Sequence, residues 1–284
     1  AESGQRLSMN DIVLLPRFRE QVRGHLVNNY LETGLRPLIL GVFGRPGDGK
    51  SAQLRSALDL YHVNTLRINA SDLESGLAGE PGKLVARTYS IASLEVRKGI
   101  PAAIVVDDID TTMGEWEHNT GTVNHQQVLA ELMHIADRPV DPLRSHPCRV
   151  PIFVTGNDLP KIYPPLRRHR RMTPFYWRPT QVEILEVAAQ LFGNFVHDSD
   201  VRKLVKAYPD ETLAFYDSVR QVAREFQIGK VLASFDGDMR ATLAARKSWA
   251  SGIVLRQVQF QELADIASAI QQSQEEAVRT YVDK

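Results

Sequence analysis

The sequence is short of cysteine: Cys148, between Pro147 and Arg149, is the single one in 284 residues. No intrachain disulfide can form, as expected of a chain from a reducing compartment, and a lone loop thiol reads as inert. Net charge is missing too. Lys+Arg and Asp+Glu stand at 34 each, which argues against a general nucleic-acid coat, though not against a local basic patch. The same balance leaves self-association unopposed by like-charge repulsion. Long apolar runs are absent: none reaches the ~18 residues that cross a bilayer, and the N-terminus has neither the basic stretch nor the apolar core of a secretion signal. The chain begins at Ala1 rather than Met, which reads as a processed or recombinant start. There is no internal repeat and no low-complexity tract. What is present, 43% hydrophobic and 24% charged residues, suits a soluble chain with a real core, and the length suggests two domains at roughly 150 residues each.

Up to about Trp177, apolar runs of strand length alternate with helical patterns. Pro37–Phe43, Thr65–Ile68, Ala102–Val106 and Pro151–Thr155 read as buried strands. Ser51–Leu60, Lys83–Lys98 and Val123–Ala136 read as helices, the last with Val128, Leu132 and Ile135 on one face. Such alternation implies a parallel sheet covered by helices. Residues 1–36 read as a helical lead-in broken at Pro16, Ser71–Pro81 and 137–149 as loops, and Met113–Thr122 as a polar, flexible stretch. Beyond Pro179 the pattern is helical (181–193, 198–207, 211–228, 258–282), with Ile253–Leu255 the one weak strand candidate. The expected architecture is therefore an α/β domain over 1–178 and a small α-helical lid domain over 179–284.

The most specific motif is Gly44-Arg-Pro-Gly-Asp-Gly-Lys50-Ser51, a full match to G-x-x-x-x-G-K-[ST] between a buried strand and a helix. Glycines let successive backbone N–H groups turn inward on a phosphate, and the following helix aims its positive end at the same anion. The spacing predicts ATP held by Gly44, Gly47, Asp48, Gly49, Lys50, Ser51 and Ala52, with Lys50 at the β- and γ-phosphates and Ser51 on Mg²⁺. A metal site of this kind needs an acidic residue ending a neighbouring strand. Val105-Val106-Asp107-Asp108 supplies Asp107 for Mg²⁺ and Asp108 for orienting the attacking water, with Asp110 either a third carboxylate in reach or a cap of the next segment. Related ATPases carry Glu at the second position; Asp retracts the carboxylate by about one methylene, which is expected to slow hydrolysis. Asn157, after the fourth strand, is placed to hold the water against the γ-phosphate, or is a plain turn residue beside Gly156. Arg167–Arg171 is the densest basic cluster. By itself it reads as a solvated turn; its position after the Asn157 strand is where ring-forming P-loop ATPases carry the arginines that enter a neighbour's site.

This order of P-loop, Asp-Asp strand, Asn strand, arginine cluster and helical unit resembles the AAA+ ATPases, and within them the green-type Rubisco activases of plants and cyanobacteria. The resemblance rests on Arg36-Pro-Leu-Ile-Leu-Gly41, Leu73-Glu-Ser-Gly-Leu-Ala-Gly-Glu-Pro-Gly-Lys-Leu84, Thr122-Val-Asn124, Leu132-Met-His-Ile-Ala-Asp-Arg-Pro139, Arg149-Val-Pro-Ile-Phe-Val-Thr-Gly-Asn-Asp158, Tyr163-Pro-Pro-Leu166 and Arg171-Met-Thr-Pro-Phe-Tyr-Trp177. It is dense over about 36–180 and thinner beyond. It implies a hexameric ring that uses ATP and Mg²⁺ to remodel inhibited Rubisco and release bound sugar phosphates, with no nucleic-acid or membrane partner. It places the protein in a bacterial or cyanobacterial cytosol, with carboxysome association, or in the chloroplast stroma. By position, Arg168 and Arg171 become the arginine fingers, Asn157 sensor 1 and Arg220 sensor 2, with Arg240 of Gly237-Asp-Met-Arg240 as the alternative. Residues 75–83 and 113–122 fall on the two pore loops, where Trp116 is either a client contact or a loop-packing residue. The family's Asp-Gly between the fingers is His169-Arg170 here, its usual Asn is Asp107, and the second pore loop carries Glu115-Trp116-Glu117. The plant N-terminal domain and the small-subunit-like extension of many cyanobacterial members are not in this sequence. A related AAA+ remodeller with another client, and a nucleotide-dependent switch or DNA-loading factor, are the alternative readings.

Overall fold

The computed structural model describes residues 13–69, 80–110, 123–232, 239–240 and 256–282. The chain divides into two compact units, Ala1–Arg178 and Pro179–Lys284.

The first unit is built on five parallel strands: β1 (Ile39–Phe43), β2 (Asn64–Ile68), β3 (Ala102–Val106), β4 (Ile152–Gly156) and β5 (Met172–Tyr176). Their order across the sheet is β2-β3-β4-β1-β5. β1, β3 and β4 are buried along their whole length, which is why they read as continuous apolar runs and not as alternating ones. The faces still segregate by period two. Ile39, Phe43, Ile104, Val106, Ile152 and Val154 join one core under α3 (Glu80–Arg97) and α4 (Val123–Asp137). Val85, Tyr89 and Ala92 of α3 and Val128, Leu132 and Ile135 of α4 fill that core, a helical-period stripe on each helix. On the other face, α1 (Pro16–Tyr30) packs beside α2 (Lys50–Leu60), and its His25 ring lies edge-on to Phe153 at 5.0 Å.

Three elements depart from the sequence reading. Pro16 heads α1 at its first turn and does not break it, because a first-turn residue has no intrahelical use for its N–H. α3 opens at Glu80 with Pro81 in its first turn, for the same reason; residues 71–79 of the expected loop lie outside the described residues. β5 goes unread as a strand because Pro174 interrupts it. It sits at the sheet edge, paired with β1 alone, where a residue lacking a ladder donor is tolerated.

β1 therefore lies between β4 and β5, while the chain leaving it crosses to β2 at the far edge. In open parallel sheets, ligands bind outside the carboxyl ends of the strands at such a switch of direction.

The second unit contains α5 (Gln181–Phe192), α6 (Asp198–Ala207), α7 (Leu213–Leu232) and α8 (Phe260–Val282). α5 starts with a reciprocal cap: Thr180 Oγ1 accepts from Glu183 N, and Thr180 N donates to Glu183 Oε2. Leu204, Tyr216, Val219 and Leu263 are buried at its centre. The Tyr216 hydroxyl donates to Tyr208 O at 2.5 Å, and the Tyr208 hydroxyl to Ala264 O at 3.2 Å. The strand candidate at 253–255 lies outside the described residues.

Candidate active site

The phosphate loop connects β1 to α2. Gly47 and Gly49 take φ of +82° and +77°, left-handed conformations that a β-carbon disfavours. Gly44 is required for a different reason: a β-carbon there would collide with the carbonyl oxygen of Trp177. Trp177 braces the loop at two points. Its backbone N–H donates to Phe43 O (2.6 Å) and its indole Nε1–H to Asp48 O (2.8 Å). The indole is fully buried, edge-on to Phe18 at 4.9 Å and capped by the Arg17 guanidinium at 4.5 Å. Arg17 in turn donates to Arg178 O. Gln53 of α2 ties down the chain before α1, accepting from Leu15 N and donating to Val13 O.

Lys50 opens α2, whose N-cap Gly49 supplies no side-chain cap. The first-turn amides, with the half-buried Ser51 and Ala52, are thus an anion-seeking helix end. Lys50 Nζ donates to Gly44 O (2.8 Å), Arg45 O (2.9 Å) and Asn157 Oδ1 (2.9 Å), which uses all three ammonium donors. Burial lowers its pKa, against the opposing pull of Asp48, Asp108 and Asp110. The Asp48 side chain, itself buried, accepts from Arg45 Nε at 3.3 Å.

The acidic residues separate into three environments. Asp107 is held at both oxygens, by Arg67 (2.7 Å) and by the hydroxyl of buried Thr155 (3.1 Å). Thr155 Oγ1 also accepts from Asp108 N, so one hydroxyl registers both aspartates against β4. Asp108 is exposed, with φ of +50°. Partial desolvation raises its pKa, Asp107 and Asp110 add to the rise, and Lys50 opposes it. Asp110 is buried and turns onto β4: its Oδ2 accepts from Asn157 N (2.8 Å) and Asp158 N (3.0 Å). The sequence-expected Lys50, Asn157 and Asp108 are thus brought to one place. Asp110 caps the turn carrying Asn157.

The arginines lie elsewhere. Arg171 immediately precedes β5, and Met172 pairs with Ile39 at the start of β1; the phosphate loop leaves the other end of that strand. Four strand steps separate them, about 13 Å. Arg171 is occupied: Nε and Nη2 fork onto Asp137 (2.8 and 2.6 Å), and Nη1 donates to Pro165 O. Asp137 is held below its ordinary pKa by that fork. Arg168, His169 and Arg170 are exposed. They border a cavity of about 750 Å³ that Arg36, Arg149 and Arg171 also line. In the second unit, Arg220 of α7 is forked onto Asp217 (2.9 and 2.5 Å), and Arg240 is exposed. Trp116 and the two expected pore loops, except Glu80–Lys83 in the first turn of α3, lie outside the described residues.

Residues 40–180 match the family model described as "ATPase family associated with various cellular activities (AAA)". Together with the five-stranded parallel sheet and the phosphate loop, this decides the family. The chain belongs to the AAA ATPases. The fold of this AAA ATPase matches the crystal structure of the FIGL-1 AAA domain with a TM-score of 0.65 at 18% identity, over 99% of this chain and 90% of that one. In sequence it is similar to ribulose bisphosphate carboxylase/oxygenase activase 1 of the Larrea tridentata chloroplast, 36% identical over 223 residues, which are 75% of this chain and 47% of the relative. It is similarly 36% identical to the ribulose bisphosphate carboxylase/oxygenase activase of Anabaena sp. strain CA over 230 residues, 76% of this chain and 54% of the relative. The chain spans about half the length of the curated relatives it matches. No helix among the described residues is long and apolar enough to cross a membrane.

Sequence reasoning missed the residues that hold this site in place, Trp177, Gln53, Thr155 and Arg67, as well as Asp137, which holds Arg171 at the other end of the strands. A Trp directly after the aromatic pair Phe175-Tyr176 was the one visible signal. The others are polar residues inside ordinary helix and strand patterns.

Proposed function

We propose that this AAA ATPase hydrolyses ATP in a homo-oligomeric, hexameric ring and uses the energy to remodel Rubisco, freeing bound sugar phosphates. The observation that carries the ring is the placement of Arg168 and Arg171 at the far end of β5 from their own phosphate loop. That separation, about 13 Å along the sheet, supports a role at a neighbour's nucleotide over one at their own. Arg168 is the better finger. It is exposed, and among the described residues no hydrogen bond is drawn from its guanidinium, whereas Arg171 is forked onto Asp137.

Within one subunit, Lys50 leaves the Gly44 and Arg45 carbonyls for the β- and γ-phosphates of ATP, and the first-turn amides of α2 take up the remaining charge. The Ser51 hydroxyl and the Asp107 carboxylate are hard oxygen donors suited to Mg²⁺; such an ion would neutralise developing charge on the phosphates. Asp108 receives the proton of the attacking water, its raised pKa bringing it nearer the working pH. Asn157 orients that water, and Arg220 of the helical unit answers to nucleotide state, with Arg240 as the alternative.

The Rubisco client rests on the two activase relatives. Because the chain covers about half of each, a different client remains the second reading. The test is ATP-dependent reactivation of sugar-phosphate-inhibited Rubisco from the same source. Recovery of carboxylation that needs ATP and disappears in Lys50→Ala supports the client. ATP turnover without reactivation removes Rubisco and leaves the motor.

A further inference from the structure

We infer that Asp110 is a positioning residue for hydrolysis, acting through the turn that carries Asn157; this rests on the reading of Asn157 as the residue that orients the attacking water. Asp110 follows β3 by four residues and is 5% exposed. A buried carboxylate is costly unless its charge is answered. Asp110 answers it in an unusual place. Its Oδ2 accepts two consecutive backbone amides, Asn157 N at 2.8 Å and Asp158 N at 3.0 Å. Its Oδ1, among the described residues, is buried with no partner. It lies against Gly156, where a β-carbon would approach Oδ1 to 2.9 Å and the Phe43 ring equally closely. Gly156, Asp110 and the Phe43 end of β1 are therefore closely fitted to one another.

The consequence is directional. Asn157 leaves that turn with Oδ1 on Lys50 Nζ at 2.9 Å. Asp110 is also one of the carboxylates whose charge Lys50 senses. The order of contacts is Asp110 to the Asn157 amide, the Asn157 side chain to Lys50, and Lys50 to the phosphate loop. None of these steps requires Asp110 to touch nucleotide. Losing it frees the turn, and a displacement of about 1 Å in a positioning group costs on the order of 10²-fold in rate. Thr155 registers Asp107 and Asp108 independently, so the metal-side aspartates stay in place.

Steady-state ATPase kinetics and nucleotide affinity, measured on the full chain, test this with Asp110→Ala, Asp110→Asn, Asn157→Ala and the two double variants. Asp110→Ala is expected to lower kcat by about 10²-fold, with nucleotide Kd changed less than about 3-fold. Asp110→Asn, which keeps an acceptor oxygen for the amides, recovers most of that loss. In the Asn157→Ala background neither Asp110 substitution lowers kcat further. A double variant that loses the product of the two single effects overturns the inference, as does Asp110→Ala with wild-type kcat. If Asp110→Ala does not fold, Asp110→Leu, which is close to Asp in shape and also offers the amides no acceptor, takes its place: a kcat loss that vanishes in the Asn157→Ala background supports the relay, and one that persists there, or a wild-type kcat in Asp110→Leu alone, overturns it. Wild-type kcat in Asn157→Ala alone is a separate failure, that of the Asn157 reading.

Discussion

The two ends of the β1–β5 strand pair are built on opposite terms. At the carboxyl end, the buried polar groups among the described residues are matched within the chain except for Asp110 Oδ1: Lys50 has three acceptors, Trp177 donates to Asp48 O, and Asp110 Oδ2 takes the two amides of the Asn157 turn. At the amino end, five guanidinium groups (Arg36, Arg149, Arg168, Arg170, Arg171) and His169 border one cavity against a single lining carboxylate, Asp137. One end holds Lys50 and the phosphate loop on contacts of its own chain, which a ligand would displace. The other carries an excess of positive charge that its own cavity does not neutralise. The chain as a whole has no net charge, so this excess is a local arrangement, the kind that meets an anion supplied from outside the subunit.

Breaking the open end should have the larger effect. Arg168→Ala is expected to cut ATP turnover by about 10³-fold or more while leaving nucleotide binding per subunit intact. Mixed with wild-type chains, it should depress activity more than in proportion to its share. Titrating the mixture and measuring turnover checks this, and a strictly proportional decline would show that Arg168 serves its own subunit.

Breaking the closed end should loosen it without emptying it. Trp177→Phe removes the Nε1–H and leaves Asp48 O buried without its donor, at a cost of about 1–3 kcal/mol, plus a further penalty for the space vacated beside Phe18 and Arg17. Thermal or denaturant unfolding should register that loss, and isothermal titration should show weaker nucleotide binding. Unchanged stability would mean that Phe18 and Phe175 close over the gap.

A third test concerns the floor beneath the open end. His25 is fully buried on α1, and burial depresses its pKa to about 3; the charges of Arg36 and Arg149 add to this, and contacts with the Ile152 and Leu38 backbone partly offset it. In the unfolded chain it titrates near 6.5. The unfolded state therefore binds more protons between these values, and stability falls with pH over that window. From its full value above about pH 6.5, each unit of acidification costs up to ~1.4 kcal/mol. Urea unfolding from pH 7.5 to 4.5 should show the slope, and His25→Gln should flatten it. An unflattened slope would assign the acid sensitivity to other groups.

Much of the sheet was legible because its strands are continuous apolar runs, and the phosphate loop because its glycines and Lys-Ser stand at a fixed spacing. β5 was hidden by Pro174, whose tolerance depends on edge position, a property of the assembled sheet. The chemistry of the site was legible as residue types; its positioning was not. Nothing local marks Asp110 as the cap of a turn 47 residues away, or Gly44 as the one residue that fits beneath the Trp177 carbonyl. Those contacts exist only once β1, β3, β4 and the end of β5 are side by side. The fork of Arg171 onto Asp137 was equally invisible, since the partners are 34 residues apart on different elements.

That fork supplies the smallest expected effect and separates the two arginines. Asp137 is about half exposed, so solvent screening limits the pair to roughly 0.5–1 kcal/mol. A double-mutant cycle with Asp137→Asn and Arg171→Ala should return a coupling of that size, shrinking as salt is raised. The pair's worth to folding is one matter and its worth to turnover another. If Arg171 buttresses the cluster, Asp137→Asn should lower turnover by nearly as much as Arg171→Ala, because both release the same fork. If Arg171 itself meets the neighbour's nucleotide, Asp137→Asn should leave turnover intact or raise it, since the guanidinium is freed from its fork. The geometry, with Nε and both terminal nitrogens of Arg171 engaged within its own chain, favours the first outcome.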